Sequence, residues 1–282
     1  MTATEQWAGP LAGSADRDGP EPATPSSARD LRRFVVLLAW IPAILLLDRG
    51  RGIDVQRLLG VGTWLLLLAM LRGESRRTKA QVAIVVAFAS LIEYTFAGLL
   101  GVYVYRLHNV PWFVPPGHGL VYLGALTFGR TPWAQRHRTP LVIATLTAGG
   151  CYAIWGAFLA QRFDSLGAFW FCCLALFLWW GRHNRNATVY VGAFVIVTYL
   201  ELMGTSLGTW TWQLRDPVAH VISMGNPPSG AAGGYGFFDA AALALAPWID
   251  SVSSRRRQRR QQLVVQPPVA AHHAAAVGAI ET

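Results

Sequence analysis

The feature that most constrains this chain is a series of long apolar blocks separated by short basic segments. A helix needs roughly 20 apolar residues to cross the hydrocarbon core of a membrane. Six blocks reach or approach that length: 80–105, 113–130, 140–160, 165–181, 187–212 and 230–249. Two shorter blocks, 34–47 and 58–71, have apolar cores of 14 residues each. We predict an all-α, polytopic transmembrane bundle of eight helices, with six spans plus an interfacial hairpin as the alternative.

The distribution of basic residues predicts the orientation of these helices. The chain carries 24 Lys and Arg against 15 Asp and Glu, a net charge of +9. In the eight-helix topology, 18 of the 24 lie in the two terminal segments and in the loops at 72–79, 130–139 and 181–186. Because basic residues are retained on the cytoplasmic side, we predict a multi-pass protein of the cell membrane with both termini in the cytoplasm. The expected partner of these charges is the lipid bilayer, and no nucleic-acid partner is predicted.

Composition divides the chain into four segments. Residues 1–30 are polar and rich in Pro, Ala and Ser, and are predicted to be a disordered cytoplasmic tail. Residues 31–135 and 136–251 are predicted to be two transmembrane halves. Residues 252–282 begin with a basic run and continue into an Ala-rich stretch, which predicts a second disordered cytoplasmic tail.

A short pattern occurs once in each half. A glutamate is followed seven or eight residues later by a glycine, and then by two aromatic residues in alternating positions: Glu93, Gly101, Tyr103 and Tyr105, then Glu201, Gly208, Trp210 and Trp212. Four helices separate the copies, so both have the same orientation in the membrane. We interpret the pattern as a diverged duplication, which predicts a parallel 4 + 4 arrangement of helices.

Three acidic residues lie deep in apolar blocks: Glu93, Glu201 and Asp239. An ionisable side chain costs at least about 2.5 kcal/mol at the centre of a membrane helix, so such residues face the bundle interior and mark functional sites. We predict that they form a catalytic acid–base set, with His118 as a further proton carrier. The alternatives are that they lock the bundle by pairing, form a proton relay or bind a cation. Neither a resident metal nor a cofactor is predicted.

Aromatic residues and Pro-rich connections outline a predicted binding site. The aromatic pairs are interpreted as interfacial anchors with a second role in lining a substrate pocket: Tyr103, Tyr105, Trp210 and Trp212. Pro115 and Pro116 are expected in the first turn of a helix, and Asn226 is predicted to cap another helix. Two helix N-termini would then point toward one vestibule for a lipid headgroup or another polar substrate.

The stretch around Glu93 also carries a family resemblance. Glu93 followed by Gly101-Val102-Tyr103-Val104-Tyr105, with Val110-Pro111 in the next connection, resembles membrane-bound carotenoid hydratases of carotenoid biosynthesis. The resemblance implies a polytopic enzyme that adds water across a terminal isoprenoid double bond, and it puts Glu93, Tyr103 and Tyr105 near the substrate. It implies that a carboxylic acid protonates the alkene, aromatic faces stabilise the cation, and a second carboxylate activates water.

Three functions are compatible with these residues. The leading hypothesis is a membrane-embedded enzyme that acts on an isoprenoid or other lipid by acid–base chemistry. The second is a small proton-coupled transporter or lipid flippase that uses the same acids as a relay. The third is a non-catalytic membrane subunit or assembly factor.

Overall fold

The structure, a computed structural model, describes residues 27–181 and 186–265. It confirms the all-α class, because helices make up most of the described chain. Those helices are α1 (Ser27–Asp48), α2 (Ile53–Met70), α3 (Arg76–Glu93), α4 (Val114–Gly129), α5 (Pro132–Arg136), α6 (Arg138–Ile154), α7 (Ser165–Gly181), α8 (Ala187–Ser206) and α9 (Ala231–Val265). Helices α3 and α6 continue into π-helical turns at Tyr94–Leu99 and Trp155–Leu159.

Within residues 27–181 and 186–265, four helical segments are long and apolar enough to cross a membrane: Ile53–Leu71, Arg76–Leu99, Arg138–Leu159 and Ala187–Ser206. The apolar helix α7 is shorter. Helix α2 covers residues 58–70 of the shorter predicted block 58–71, and the apolar segment reaches spanning length because the helix begins at Ile53. These segments support a membrane protein by length and composition.

The described helices extend beyond the predicted transmembrane halves at both ends. Helix α1 begins at Ser27, and α9 continues to Val265, past residue 251. The basic segment after residue 251 is rich in Arg and Gln, which are good helix formers. The predicted disorder of residues 1–26 and 266–282 lies outside the described residues.

Four helices form the centre of the bundle. Helix α4 packs against α8, α8 against α9, α9 against α3, and α3 against α4, which closes a ring. Glycine allows the close approach of α4 and α8: a Cβ atom on Gly192 would lie 3.0 Å from the Cα atom of Ala125. Helices α1 and α2 pack on α4, whereas α7 packs on α9 and α6 packs on α7 and α8. A small residue at this contact therefore lets α4 and α8 pack closely, as expected for membrane helices.

A partly buried cluster of ion pairs joins three segments at one end of the bundle, here called the ion-pair end. Arg130, at the end of α4, contacts Asp30 of α1 at 2.7 Å and Glu74 of the α2–α3 loop at 2.9 Å. Arg33 also pairs with Glu74. Burial alone would raise the pKa of Glu74, but the hydrogen bond and charge of Arg130, reinforced by Arg33, lower it below its usual value.

The opposite end, here called the strand end, differs from the sequence prediction. Blocks 80–105 and 187–212 were predicted as continuous spans, but their last three residues are the strands β1 (Tyr103–Tyr105) and β2 (Trp210–Trp212). Gly101 and Gly208 turn the chain there, with φ angles of 67° and 70° that favour glycine. The strands pair antiparallel, with Tyr103 opposite Trp212 and Tyr105 opposite Trp210. The prediction was wrong because an apolar strand and the end of an apolar helix have the same hydropathy.

Candidate functional site

A cavity of about 370 Å³ lies inside the bundle near the strand end. All four ring helices line it, together with α1, α2, α7 and both strands. Most of the lining is apolar, as at Ile41, Phe88, Phe113, Leu166 and Trp170. An apolar cavity with a few placed polar groups is typical of sites for small apolar ligands.

Glu93, the last residue of α3, lies in the cavity wall with three hydrogen-bond partners. Its Oε2 atom accepts hydrogen bonds from the hydroxyl groups of Tyr103 and Tyr105, both at 2.8 Å. Its Oε1 atom lies 2.9 Å from Nε2 of His118. The side chain is buried, so these bonds replace the solvation that the carboxyl group loses.

Glu201, on α8, lies in the same cavity with a different set of donors. Its Oε2 atom accepts hydrogen bonds from the indole N–H groups of Trp210 at 3.0 Å and Trp212 at 3.2 Å. Among the described residues, its Oε1 atom accepts no hydrogen bond. Glu201 therefore has one oxygen held by the protein and one available to a ligand in the cavity.

The strand pairing joins these two sets of donors into one aromatic cluster, defined as Tyr103, Tyr105, Trp210 and Trp212. The ring centroids of Tyr103 and Trp212 are 4.4 Å apart, and those of Tyr105 and Trp210 are 6.1 Å apart. All four side chains are at most 7% exposed. Their interpretation as interfacial anchors was wrong, because their polar atoms turn inward to satisfy the two buried carboxyl groups.

His118 reaches the cavity from the first turns of α4. As predicted, Pro115 and Pro116 occupy the start of that helix. The imidazole ring stacks on Tyr235 of α9 with a centroid distance of 5.0 Å, and its edge contacts Phe238. Together with its contact to Glu93, this packing fixes the orientation of the ring.

Asp239 does not share the cavity with the other predicted acids. It lies on α9, one turn beyond Tyr235, and it is buried without lining the cavity. Its electrostatic neighbours are Tyr122 of α4 and Tyr190 of α8. The structure thus brings Glu93, Glu201 and His118 together at the cavity, whereas Asp239 lies outside it.

Asn226 does not cap α9, which begins five residues later at Ala231. Its Oδ1 atom instead accepts a hydrogen bond of 2.9 Å from the backbone N–H of Trp212. The prediction was wrong because the segment before α9 is held by another residue, Asp164. Asn226 therefore supports the position of β2 and does not contact the cavity.

The sequence did not single out Asp164, although its carboxylate accepts four hydrogen bonds. Its carboxylate accepts from the backbone N–H groups of Gly167 at 2.8 Å, Gly225 at 2.9 Å and Ser229 at 2.6 Å. It also accepts from the Ser229 hydroxyl at 2.8 Å. An Asp just before an apolar helical run is a signal for an N-cap, which would have indicated its role at α7. Nothing local indicated its bonds to the segment before α9.

The loop between β2 and α9 folds around Asp216, which also contributes to the cavity lining. The pKa of Asp216 is lowered to about 2 because the backbone N–H groups of Ile222 and Ala219, and then those of Val221 and His220, donate to its carboxylate. A lowered pKa in the folded state stabilises the loop above the unfolded value of about 3.9. The stabilisation is lost as pH falls through the folded value.

We expect this loop to stay ordered from neutral pH down to about pH 4 and to open as pH falls further toward 2. Asp216→Asn should open it already at neutral pH, because the carboxylate is lost. Hydrogen exchange of the amides of residues 219–222, corrected for the intrinsic pH dependence, measures both effects. Asp54→Asn is the control, since the Asp54 side chain is 92% exposed. Equally slow exchange in Asp216→Asn and wild type at neutral pH would contradict the prediction.

The chain matches no protein-family model. No curated protein and no solved structure matches it either.

Proposed function

We propose that the protein is a membrane-embedded enzyme that acts on an isoprenoid or other lipid by acid–base chemistry. One observation carries this proposal: the buried carboxyl groups of Glu93 and Glu201 line the same apolar cavity. Apolar walls suit a hydrocarbon chain, and the two carboxyl groups supply a proton donor and a proton acceptor. Hydration of a terminal double bond is the specific reaction that we propose.

The proposal includes an eight-helix membrane topology with both termini in the cytoplasm. The four long helices of each half, α1–α4 and α6–α9, would each cross the membrane, with the ion-pair end on the cytoplasmic side. A parallel 4 + 4 duplication accounts for the matching local geometry. In both halves a glutamate accepts two hydrogen bonds from aromatic residues that follow a glycine with positive φ.

The two glutamates have different roles in the proposed reaction. Glu201, whose described partners are the neutral indole groups of Trp210 and Trp212, donates its proton to one carbon of the double bond. The resulting cation lies near the aromatic cluster, whose ring faces stabilise positive charge. Water then bonds to the cationic carbon and loses a proton to the pair formed by His118 and Glu93. The alkene and one water molecule become an alcohol, and no electrons are gained or lost.

A comparison of lipid extracts tests this function. A strain that lacks the gene is compared with its parent by mass spectrometry of total lipids and pigments. We expect the deletion strain to accumulate an isoprenoid lipid that is lighter by one water molecule than the product in the parent, and a plasmid copy to reverse the change. Unchanged lipid masses would refute the enzyme. Unchanged masses together with an altered distribution between leaflets would favour the transporter instead.

A further inference from the structure

Three polar atoms between α4 and α9 are buried and have no hydrogen-bond partner among the described residues. They are Nδ1 of His118, the hydroxyl oxygen of Tyr122 and Oδ2 of Asp239. The three side chains are 6%, 1% and 4% exposed. Buried polar groups are almost always bonded to protein or to ordered water, so three orphans in one region point to a bound ligand that is polar and small.

These atoms lie in two successive layers. His118 and Tyr235 stack on each other, which aligns α4 with α9 at that level. Tyr122 and Asp239 each follow four residues later, on the same helix faces and about 6 Å farther toward the ion-pair end. Tyr190, near the start of α8, interacts electrostatically with Asp239.

We infer that bound water molecules connect these groups into a hydrogen-bonded route from His118, at the cavity, through Tyr122 and Asp239 toward the ion-pair end. Water satisfies the chemistry of all three orphans, because it donates to a carboxylate or an imidazole nitrogen and accepts from a hydroxyl group. The titratable and charged groups of the described residues that face this route are Glu93, Glu201, Tyr190, Tyr235 and Arg77.

The role of this route in catalysis rests on the proposed function. The presence of bound water does not, because it is inferred from the buried polar atoms alone. After each hydration the pair of Glu93 and His118 holds one extra proton, and Glu201 lacks one. The route lets the pair release its proton toward the ion-pair end through hydroxyl, water and carboxyl groups, and Glu201 takes up one proton from water in the cavity, so each turnover consumes one water molecule and no net proton. It also supplies the water molecule that the reaction consumes. Proton movement through such a chain changes no oxidation state.

Hydroxyl-radical labelling tests for the water. Synchrotron irradiation of the full chain in lipid nanodiscs oxidises side chains that touch bound water, and mass spectrometry gives the rate at each residue. We expect Tyr122, although 1% exposed, to be oxidised, after correction for intrinsic reactivity, as fast as Trp112, which is 51% exposed in the connection between β1 and α4. We expect the reaction to be lost in Asp239→Leu, which makes the region apolar. Asp54→Asn should leave the rate at Tyr122 unchanged. Slow oxidation of wild-type Tyr122 would overturn the inference, and this result does not depend on whether Asp239→Leu folds.

The labelling experiment tests the bound water, and the lipid comparison tests the enzyme, so either proposal can be refuted without the other. Rapid labelling of Tyr122 without any change in lipid masses supports the bound water and refutes the enzyme. A lipid change with an unlabelled Tyr122 supports the enzyme and overturns the route.

Discussion

Replacing Glu201 by glutamine should abolish product formation and leave the bundle folded. The glutamine carbonyl oxygen can still accept from the indole groups of Trp210 and Trp212, as Oε2 does now. Its amide group then occupies the position that faces the cavity, where it cannot protonate a double bond. Loss of a general acid costs about 10²- to 10⁴-fold in rate. The measurement is the amount of product in the deletion strain that carries the variant, normalised to the amount of folded protein.

Two companion variants make this result specific. Glu93→Gln should also fold, because its oxygen can accept from Tyr103 and Tyr105 while its amide group donates to Nε2 of His118. It should lose activity as well, since the carboxylate that supports a protonated His118 is gone. Asp54→Asn, on the exposed face of α2, should retain full activity. Wild-type product levels in both glutamine variants would show that these glutamates do not act as the acid and base of the reaction.

Replacing Gly233 by alanine should disrupt the bundle itself. A Cβ atom at this position would lie 1.8 Å from the backbone oxygen of Trp170 and 2.6 Å from its carbonyl carbon. Both atoms belong to the backbone of α7, so the two helices must move apart, because no side chain can rotate away. Overpacking of this kind costs about 1 to 3 kcal/mol or more. We expect a marked fall in the midpoint of thermal unfolding, measured for the purified protein in detergent.

Gly62→Ala is the matched control for this substitution. Gly62 lies inside α2, and the nearest atom to its added Cβ would be a ring carbon of Trp40 at 3.9 Å. Alanine is the better helix former, so this variant should be as stable as wild type or more stable. If Gly233→Ala unfolds at the same temperature as Gly62→Ala, then α7 and α9 are not in backbone contact.

The structure also explains why Glu93 and Glu201 could be recognised before their surroundings were known. A carboxyl group within an apolar block is conspicuous because its burial is costly, so the sequence alone singles it out. Asp164 is equally buried, at 1% exposure, but it lies between two blocks, where an acidic residue is unremarkable. Its partners Gly225 and Ser229 follow it by 61 and 65 residues. No local pattern encodes contacts at that separation.

The long apolar blocks by themselves determined that the described chain is helical and that several helices have the length and composition of membrane spans. Hydropathy and length are local properties, and they suffice for that conclusion. Only the tertiary structure decided where the blocks stop being helical, which way Tyr103, Tyr105, Trp210 and Trp212 point, and that Asp239 lies outside the cavity. Those features depend on the pairing of β1 with β2 and on the packing of α4 against α8 and of α3 against α9. The segments involved are far apart in the chain. Their contacts form because the buried carboxyl groups of Glu93 and Glu201 need hydrogen-bond donors, which distant segments of the bundle help to position.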